Sequence, residues 1–597
     1  MTTEAPDVAY RARLAARRAA AARRDRQHLL LSNSRLAVFA IACLLAWLAF
    51  ITRVLHGGWV LLPVVLFMVL AGWHSRVLRE RRRLRRAVRY YEDGLARLED
   101  RWMGRGNPGR IFRDDDHPYS GDLDLFGRGS LFELLCTART RAGEETLAGW
   151  LTSPAAPGTV RARQEAVAAL RGRCDLREDL ALLGEALHTQ VPRSALARWG
   201  SAPPVLDGAS LGLLALGLNV LVVGTILGWW LGPLGPAPVI LALTLQGVFA
   251  ARLQRRVART LAGVAAPGRE LPLLAQVLAR FETERFHAPL LVEMRAALER
   301  RGKAPTRRIA HLARLTDLLG WRRNQVFAPL AALLMWGTHI ALALERWRRL
   351  AGPSVPGWIR AVGELEALCA LAGYAYEHPQ DPFAEILDAG ELRLEAEGLG
   401  HPLLPEASCV RNDLRLGGGL RLLVVSGSNM SGKSTLLRSV GVNVVMALAG
   451  APVRARRLRL APVQVGASIR ILDSLQEGRS RFYAEITRLR ALMTLAAARR
   501  PLLFLLDEIL HGTNSHDRLI GAEAVVKGLL AQGAAGLVTT HDLALARVAD
   551  SLAPAAANIH FQDHLEEGRM IFDYRIHPGV VEKSNALALM RAVGLDV

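Results

Sequence analysis

The stretch RLLVVSGSNMSGKSTLLRSVG, from Arg421 to Gly441, decides the fold of the carboxyl-terminal third of the chain. An apolar, β-forming run leads into a turn rich in Gly, Ser and Asn, and leucine and valine at helical spacing follow. The turn fits the pattern G-x-x-x-x-G-K-[ST] through Gly427, Gly432, Lys433 and Ser434. This order of strand, loop and helix predicts a loop whose backbone N–H groups and following helix bind phosphate.

The residue types of this loop predict which ligand it binds. A lysine at position 433 predicts a point charge for the β and γ phosphates, and Ser434 is expected to bind Mg²⁺. We therefore expect ATP and Mg²⁺ as cofactors. The residues expected to hold the nucleotide are Gly427, Ser428, Asn429, Met430, Ser431, Gly432, Lys433, Ser434 and Thr435.

Two more apolar runs end in residues suited to phosphate chemistry. Residues 501–506 form a predicted buried strand that ends at Asp507 and Glu508. Asp507 is expected to hold Mg²⁺, and Glu508 is expected to act as a general base on the attacking water. A second short strand, residues 536–540, is followed by His541, which we expect near the γ-phosphate.

Length, charge and cysteine usage bound the class of protein. A chain of 597 residues can form three or four domains. The formal net charge of +21 favours an anionic partner, either nucleic acid or an anionic membrane surface. The five cysteines form no C-x-x-C pair, which indicates a reduced protein without disulfides or structural zinc.

Two pairs of uncharged stretches predict membrane-spanning hairpins. The first pair covers about 36–52 and 54–75, with seven arginines between Arg11 and Arg26 before it and eight between Arg76 and Arg89 after it. The second pair covers about 209–231 and 236–251, and four arginines follow it. Since arginine flanks both outer ends of the first pair and follows the second, both hairpins are predicted to have their ends in the cytoplasm. The alternative is a helical hairpin buried in a large soluble core.

The region around the second hairpin is predicted to be helical and soluble. Helical periodicity covers 129–154 and 159–172, and further helices are expected at about 265–300, 305–350 and 358–374. A fifth apolar run, 326–344, contains His339 and ends in charged residues, so we interpret it as a buried core helix.

Four segments together resemble the MutS family of DNA mismatch repair ATPases. GSNMSGKST, DSLQEGRSRFYAEI, LLDEILHGTNSHD and TTHDLAL are similar to its P-loop, its signature, its Walker B segment with D-loop, and its His-loop. Upstream, GSLFELLCTARTRAGEETLAGWLTSP resembles the start of the MutS core domain, and HPLLP and RND resemble the lead-in to the ATPase. Downstream, VVEKSNALALMRAVGL resembles the helical tail that packs the ATPase dimer.

The resemblance implies further roles. Ser480 corresponds to the signature serine that reaches the nucleotide of the partner subunit, so a homodimer through the ATPase domain is expected. It also implies that nucleotide state moves levers around DNA, which makes DNA an expected partner beside membrane lipid. No small-molecule substrate other than ATP is expected.

The resulting fold class is a multidomain chain of transmembrane helical hairpins, an all-α MutS-like core and lever domain, and a carboxyl-terminal α/β P-loop ATPase domain of ABC type. The predicted divisions are a basic terminus and hairpin (1–104), the first part of the core (105–207), the inserted hairpin (208–252), the second part of the core (253–395) and the ATPase domain (396–597).

Several features depart from the family pattern. Membrane spans and arginines occupy the region where a mismatch-reading domain with a Phe-x-Glu wedge is expected. Phe383 and Glu385 spell Phe-x-Glu, but they directly precede the ATPase lead-in, so we interpret the match as chance. No aromatic residue for stacking adenine occurs near Cys409, which leaves base recognition open. Ser431 replaces a usual glycine, which is acceptable if its backbone angle is ordinary.

Three classes of function follow from this sequence. The first is a membrane-anchored ATPase that binds DNA structure or backbone. The second is a transport-associated ATPase, although DSLQEGRSRF lacks an LSGGQ-type signature and four spans make a thin path. The third is an ATP-driven membrane scaffold for protein partners.

Overall fold

The amino-terminal two thirds of the chain are helical. The computed structural model describes all residues except 1–4, 184–192, 207–208, 266–270, 300–303, 322–326, 389, 391, 471–480, 499, 511–512, 542, 567–568 and 582–597. The helices of this part are α1 (Pro6–Phe50), α2 (Leu61–Leu98), α3 (Leu131–Leu135), α4 (Arg141–Thr152), α5 (Pro157–Arg171), α6 (Cys174–Leu182), α7 (Arg193–Ser201), α8 (Ala209–Trp230), α9 (Pro236–Ala265), α10 (Leu271–Thr283), α11 (Pro289–Glu299), α12 (Pro305–Trp321), α13 (Ala328–Leu333), α14 (Trp336–Ala351) and α15 (Val355–Glu377).

The carboxyl-terminal third is an α/β domain. Its elements are β1 (Glu385–Ile386), β2 (Leu394–Leu399), β3 (Asn412–Leu416), β4 (Leu422–Ser426), α16 (Lys433–Ala449), β5 (Arg457–Leu460), β6 (Gln464–Ser468), α17 (Arg481–Ala496), β7 (Leu502–Asp507), α18 (Ser515–Ala531), β8 (Ala535–Thr540), α19 (Leu543–Ser551), β9 (Ala556–Glu566) and β10 (Arg569–Pro578). The predicted combination of a mostly helical body with a carboxyl-terminal α/β domain is confirmed.

The larger sheet places the carboxyl ends of its central strands side by side. Its order is β10-β9-β4-β8-β7-β6, with β9, β4, β8, β7 and β6 parallel and β10 antiparallel at one edge. The central strands are buried, as expected for parallel strands covered by helices on both faces. Ligands of such sheets bind beyond the carboxyl ends of the strands. The smaller sheet has the order β1-β5-β2-β3.

Helix α15 is the central helix of the body. It is apolar on nearly all sides and packs against α4 and α5. At its end, Glu377 accepts a hydrogen bond from the Tyr10 hydroxyl at 3.1 Å and pairs with the Arg97 guanidinium through two contacts of 2.7 Å. Tyr10 lies on α1 and Arg97 on α2, so the base of the first hairpin is fixed to the body through a buried carboxylate.

Four helices are long and apolar enough to cross a bilayer. They comprise Pro6–Phe50, Gly57–Leu98, Ser210–Trp230 and Pro236–Val264, at the positions of the two predicted hairpins. Their apolar side chains are mostly exposed, and Leu36 and Trp230 are 69% and 81% exposed. The composition and exposure agree with a hydrocarbon environment, and the crossing itself stays a prediction.

The predicted helices at 305–350 and 326–344 are wrong as single helices. The region folds as α12, α13 and α14, and Met335 takes a left-handed conformation (φ 44°) where α13 ends. The Asn219 amide donates to the Leu334 carbonyl at 2.9 Å, and the Gln246 amide donates to the Leu333 carbonyl at 2.7 Å. These long-range donors satisfy carbonyls that a continuous helix would have paired internally.

Two other predicted helices are also interrupted. The region 129–154 forms α3 and α4, since Thr140 caps α4 by accepting a hydrogen bond from the Gly143 amide at 3.1 Å. The region 265–300 contains α10 and α11. The predicted domain boundaries stay predictions.

Candidate functional site

The loop between β4 and α16 has the backbone of a phosphate-binding loop. Gly427 and Gly432 have positive φ angles of 151° and 104°, and Met430 has a φ of 70°. A Cβ at Gly427 would lie 2.8 Å from the Ser431 hydroxyl, so the loop needs glycine there. Met430, not Ser431, takes the left-handed conformation, so a serine at 431 is accommodated without strain.

Lys433 is the most constrained side chain of the loop. Its ammonium donates to the Gly427 carbonyl at 2.9 Å and to the Ser428 carbonyl at 2.8 Å. It also lies 3.4 Å from Glu508 Oε1. Only 5% of this residue is exposed, and its ammonium has three partners. Phosphate oxygens can replace these partners.

Two hydroxyls of the loop provide a test of whether phosphate fits there. Among the residues that the structure describes, the oxygens of Ser428 and Ser431 are buried without a hydrogen-bond partner. A buried polar atom without a partner costs free energy, and such atoms recur where a ligand or ion is bound. Together with the amino terminus of the 17-residue helix α16, these donors fit an anionic oxygen ligand.

The predicted Walker B carboxylates lie at the end of β7. The Thr539 hydroxyl donates to Asp507 Oδ1. Glu508 has a φ of 46°, and its backbone N–H donates to the Thr539 hydroxyl oxygen at 3.0 Å. Strained backbone at such a position is typical of functional sites. The neighbouring strand β8 thus fixes the conformation of both acidic residues.

His541 follows β8, which lies between β4 and β7. Its Nδ1 is 3.6 Å from Glu508 Oε1, and 43% of its side chain is exposed. The structure therefore brings Lys433, Glu508 and His541 together at one edge of the sheet, as their positions after parallel strands predict.

The remaining predicted site residues lie around this centre. Asn429, Met430 and Thr435 are exposed at the mouth of the loop, and Ser434 is half-buried in the first turn of α16. Ser480 lies outside the described residues, so its predicted role in the partner's site stays a prediction.

The two candidate metal ligands, Ser434 and Asp507, are both oxygen donors. Among the described residues, no group of three or more His, Cys, Asp or Glu could hold a metal ion. Mg²⁺ is commonly bound by one or two protein oxygens together with phosphate oxygens and water. Ser434 and Asp507 fit that mode, and they are the residues that would hold the ion beside a nucleotide.

Sequence reasoning missed Tyr574, an aromatic residue beside the loop. A Cβ at Gly432 would lie 3.1 Å from the Tyr574 ring, and 43% of Tyr574 is exposed. The Asn412 side chain donates to the Tyr574 carbonyl at 2.9 Å and accepts from the Ile576 amide at 2.8 Å. An exposed aromatic ring held in this position could stack on a nucleobase. Tyr574 lies far from Gly432 in the sequence, so no local sequence pattern predicts that the two residues are neighbours.

Phe383 and Glu385 have structural partners. Phe383 forms a β-bridge with Pro452, and Glu385 pairs with Arg457 and Arg459 at 3.4 and 3.0 Å. These contacts agree with the interpretation that their Phe-x-Glu spacing is chance.

Known proteins are similar to part of this chain. Residues 423–596 match the family model of MutS domain V. The DNA mismatch repair protein MutS 2 of Halobacterium salinarum is 34% identical over 265 residues, which are 43% of this chain and 28% of that protein. Endonuclease MutS2 of Thermus thermophilus is 34% identical over 249 residues, or 40% of this chain and 31% of that protein.

A third relative is similar over a stretch of comparable length. The DNA mismatch repair protein MutS of an Exiguobacterium species is 32% identical over 232 residues, which are 38% of this chain and 26% of that protein. The chain thus spans less than one third of the length of each of these three relatives.

Proposed function

Because its carboxyl-terminal domain is related to the MutS family, we propose that this protein is a membrane-anchored, Mg²⁺-dependent ATPase that acts as a homodimer and binds DNA. The observation that carries the ATPase proposal is the meeting of Lys433, Glu508 and His541 beside a loop with two buried hydroxyls that have no hydrogen-bond partner among the described residues. The matched family supports ATP-driven chemistry of this kind.

The geometry supports a mechanism by charge stabilisation and proton transfer. Lys433 would exchange its two carbonyl partners and Glu508 for oxygens of the β and γ phosphates. That exchange releases the Glu508 carboxylate to accept a proton from the attacking water. His541, beside Glu508, would contact the γ-phosphate. When bound at Ser434 and Asp507, Mg²⁺ would neutralise the charge that develops on the phosphate oxygens.

Two observations support a dimer in which the partner completes the site. Asn429 and Met430 face outward at the mouth of the loop, and 84% of Met430 is exposed. In the family that the sequence resembles, the serine equivalent to Ser480 reaches the partner's nucleotide. A second copy of this chain would cover the exposed mouth and supply that serine.

An arginine stripe on α9 supports the membrane proposal. Directly after the predicted span, four arginines lie at helical spacing on one exposed face, and they have no ion-pair partner among the described residues: Arg252, Arg255, Arg256 and Arg259. Leu253 and Val257 are buried on the opposite face. Like charges at such spacing repel each other, so anionic lipid headgroups at the cytoplasmic surface would stabilise the stripe.

Cysteine labelling tests the membrane topology. In a chain whose natural cysteines are replaced by serine, Gly57→Cys and Gly235→Cys should react completely with a membrane-impermeant maleimide on intact cells. Gly57 lies between α1 and α2, and Gly235 lies between α8 and α9. Neither added Cβ would meet an atom closer than 3.5 Å. The matched control, Ser153→Cys in the exposed turn after α4, should react only after lysis. Equal labelling of all three variants in intact cells would contradict the proposed anchor.

DNA binding is tested by a salt series on detergent-purified protein. If the protein contacts about six phosphates of duplex DNA, its affinity for that DNA should fall roughly a thousandfold between 50 and 200 mM salt. Homoduplex, mismatched and branched DNA should be compared by filter binding, with ATP hydrolysis measured in parallel.

The same assay separates the three classes of function. Stimulation of hydrolysis by DNA supports the proposed function. Stimulation by a lipid or solute in liposomes, without DNA binding, supports a transport-associated ATPase. ATP hydrolysis that responds to neither leaves a membrane scaffold for protein partners.

A further inference from the structure

The break between α13 and α14 lies against the second predicted hairpin, which is formed by α8 and α9. The Asn219 side-chain amide of α8 donates to the Leu334 carbonyl at 2.9 Å, and its Nδ2 also lies 2.8 Å from His339 Nε2. The Gln246 amide of α9 donates to the Leu333 carbonyl at 2.7 Å and to Asn219 Oδ1 at 2.9 Å. These contacts form one network that joins the break to both helices of the hairpin.

The positions of the two amides along their helices set the depth of the break. Asn219 lies ten residues after the start of α8, which corresponds to about 15 Å along the helix axis. Gln246 precedes Arg252, the first arginine of the stripe on α9, by six residues, or about 9 Å. The hydrocarbon core of a bilayer is about 30 Å thick. Where α8 and α9 cross a membrane, the break therefore lies within its cytoplasmic half.

Helix α14 leads from the break back to the cytoplasmic side. The Thr260 hydroxyl of α9 donates to Glu345 Oε1 of α14 at 3.0 Å, and Glu345 pairs with Arg348 at 2.6 Å. Thr260 follows the arginine stripe in the sequence, whereas Gln246 precedes it. Helix α14 thus runs beside α9 from the level of the predicted span to a level beyond the stripe.

The amide network is what a broken helix in hydrocarbon requires. Asn and Gln side chains are costly inside a bilayer unless they are hydrogen-bonded, and a carbonyl that leaves a helix there has no water to bind. Only 4% of Gln246 is exposed, and its amide reaches the carbonyl at the end of α13. The polar side chains of the predicted spans and the carbonyls of the break therefore satisfy each other.

The residues around the break have the composition of a membrane-embedded segment. Residues 327–339 contain no Asp, Glu, Lys or Arg, and they are too few to cross a bilayer as a helix. Leu330 of α13 is 47% exposed, and Ala332 is also exposed. Exposed apolar side chains beside the predicted spans fit the acyl chains that would surround those spans.

Aromatic residues mark where this segment would leave the hydrocarbon. Phe327 packs edge-to-face on Trp321 and Trp336, with ring centroids 6.2 and 5.3 Å apart. The Trp336 indole N–H donates to the Leu318 carbonyl of α12 at 2.9 Å. Tryptophan is enriched at the membrane–water interface, where its ring meets apolar and polar groups together. The charged residues of α12 precede this aromatic cluster, and the last of them is Asp317.

We propose that residues 327–339 form a re-entrant segment, which enters the cytoplasmic half of the bilayer beside α8 and α9 and returns to the cytoplasmic side. Lipid acyl chains cover its exposed residues Leu330 and Ala332. The inference rests on the proposed function, since the depth of the segment follows from the proposed crossing of α8 and α9. It gives the body a third contact with the membrane besides the two hairpins.

Power-saturation electron paramagnetic resonance of a nitroxide label tests the depth of this segment. The label is attached to Leu330→Cys in the chain whose natural cysteines are replaced by serine, and the protein is reconstituted in vesicles of phosphatidylcholine and phosphatidylglycerol. Collisions with molecular oxygen report lipid, and collisions with a nickel chelate on both sides of the bilayer report water. Nickel accessibility at Leu330 should be at least fivefold below that at Val292→Cys, with oxygen accessibility at least as high.

Val292 is a matched control, because it lies on α11 of the body and is 46% exposed, almost the same fraction as Leu330. Leu216→Cys is the control within the predicted span, since Leu216 lies on α8 and is 54% exposed. It should give the same pattern as Leu330→Cys. Nickel accessibility at Leu330 equal to that at Val292 would overturn the proposal. Low accessibility to both probes would also overturn it, because the segment would then be buried in protein.

The remaining outcomes separate this inference from the membrane anchor itself. If Leu330→Cys does not fold, a label on Ala332→Cys, exposed on the same helix, decides by the same criteria. If Leu216→Cys is as accessible to nickel as Val292→Cys, α8 does not lie in lipid, and the proposed anchor fails together with this inference. Lipid-like accessibility at Leu216 with water-like accessibility at Leu330 refutes the re-entrant segment alone.

Discussion

Lys433→Ala should abolish ATP hydrolysis by removing the charge that binds the phosphates. Hydrogen bonds to charged groups contribute about 1.5–3 kcal/mol each, so losing those to two phosphate oxygens would weaken ATP binding roughly 100-fold or more. Arginine is not an equivalent replacement, because its planar fork does not fit a site where Lys433 is 5% exposed and already contacts two carbonyls. Fluorescent ATP titration and phosphate release measure both effects.

The control for this variant is a surface lysine of the same domain. Lys527 is 50% exposed and pairs with Glu523 at 2.6 Å, one helical turn away on α18. Lys527→Ala should therefore bind and hydrolyse ATP like the unmutated protein, because exposed pairs of this kind contribute little. If Lys433→Ala folds and still binds ATP tightly, the loop after β4 is not the nucleotide site.

The centre of the site could be predicted from the sequence because its signals are local. The strand, the glycine loop and the start of α16 are contiguous in the chain, and this order predicts where phosphates would bind. Asp507 and His541 each follow an apolar strand, and parallel strands bring their carboxyl ends to one edge. Predicting that these residues lie close together required only the assumption that their strands belong to one sheet.

Other features depend on contacts between distant parts of the chain, which periodicity cannot reveal. Tyr574 reaches the loop because the β9–β10 hairpin folds back beside β4. Asp124 contacts α16, and Asp122 accepts a hydrogen bond from the amide of Ile469 directly after β6, although both aspartates precede these partners by more than 300 residues. The broken helix at Met335 was predicted as continuous because its apolar residues keep helical spacing. The amides of Asn219 and Gln246, which stabilise the break, belong to the preceding hairpin.

The composition alone did not show whether the positive charge serves a lipid surface or DNA. Several arginines beside the predicted spans pair with acidic residues of the body, so these pairs add nothing to the net charge of +21. The stripe on α9 is different, because its four arginines have no ion-pair partner among the described residues. Under the proposed membrane anchoring, anionic lipid headgroups would account for that stripe, whereas DNA would need a cationic surface away from the membrane.

Glu508→Gln should block hydrolysis while ATP stays bound, which distinguishes it from the loss of Lys433. Glutamine keeps the shape of the side chain but cannot accept the proton of the attacking water, and positioned general bases contribute about 10²–10⁴-fold to such rates. The carboxylate lies 3.4 Å from the Lys433 ammonium and competes with phosphate for it. Removing the charge of Glu508 should therefore leave ATP affinity unchanged or increase it.

Single-turnover hydrolysis and ATP titration on the same preparation measure the two effects separately. Glu523→Gln on α18 is the matched control, since Glu523 lies at the surface and pairs only with the exposed Lys527 in the described structure. A rate in Glu508→Gln close to that of the unmutated protein would remove Glu508 from the role of base. His541 would then be the remaining candidate, because its Nδ1 lies 3.6 Å from the same carboxylate at the same edge of the sheet.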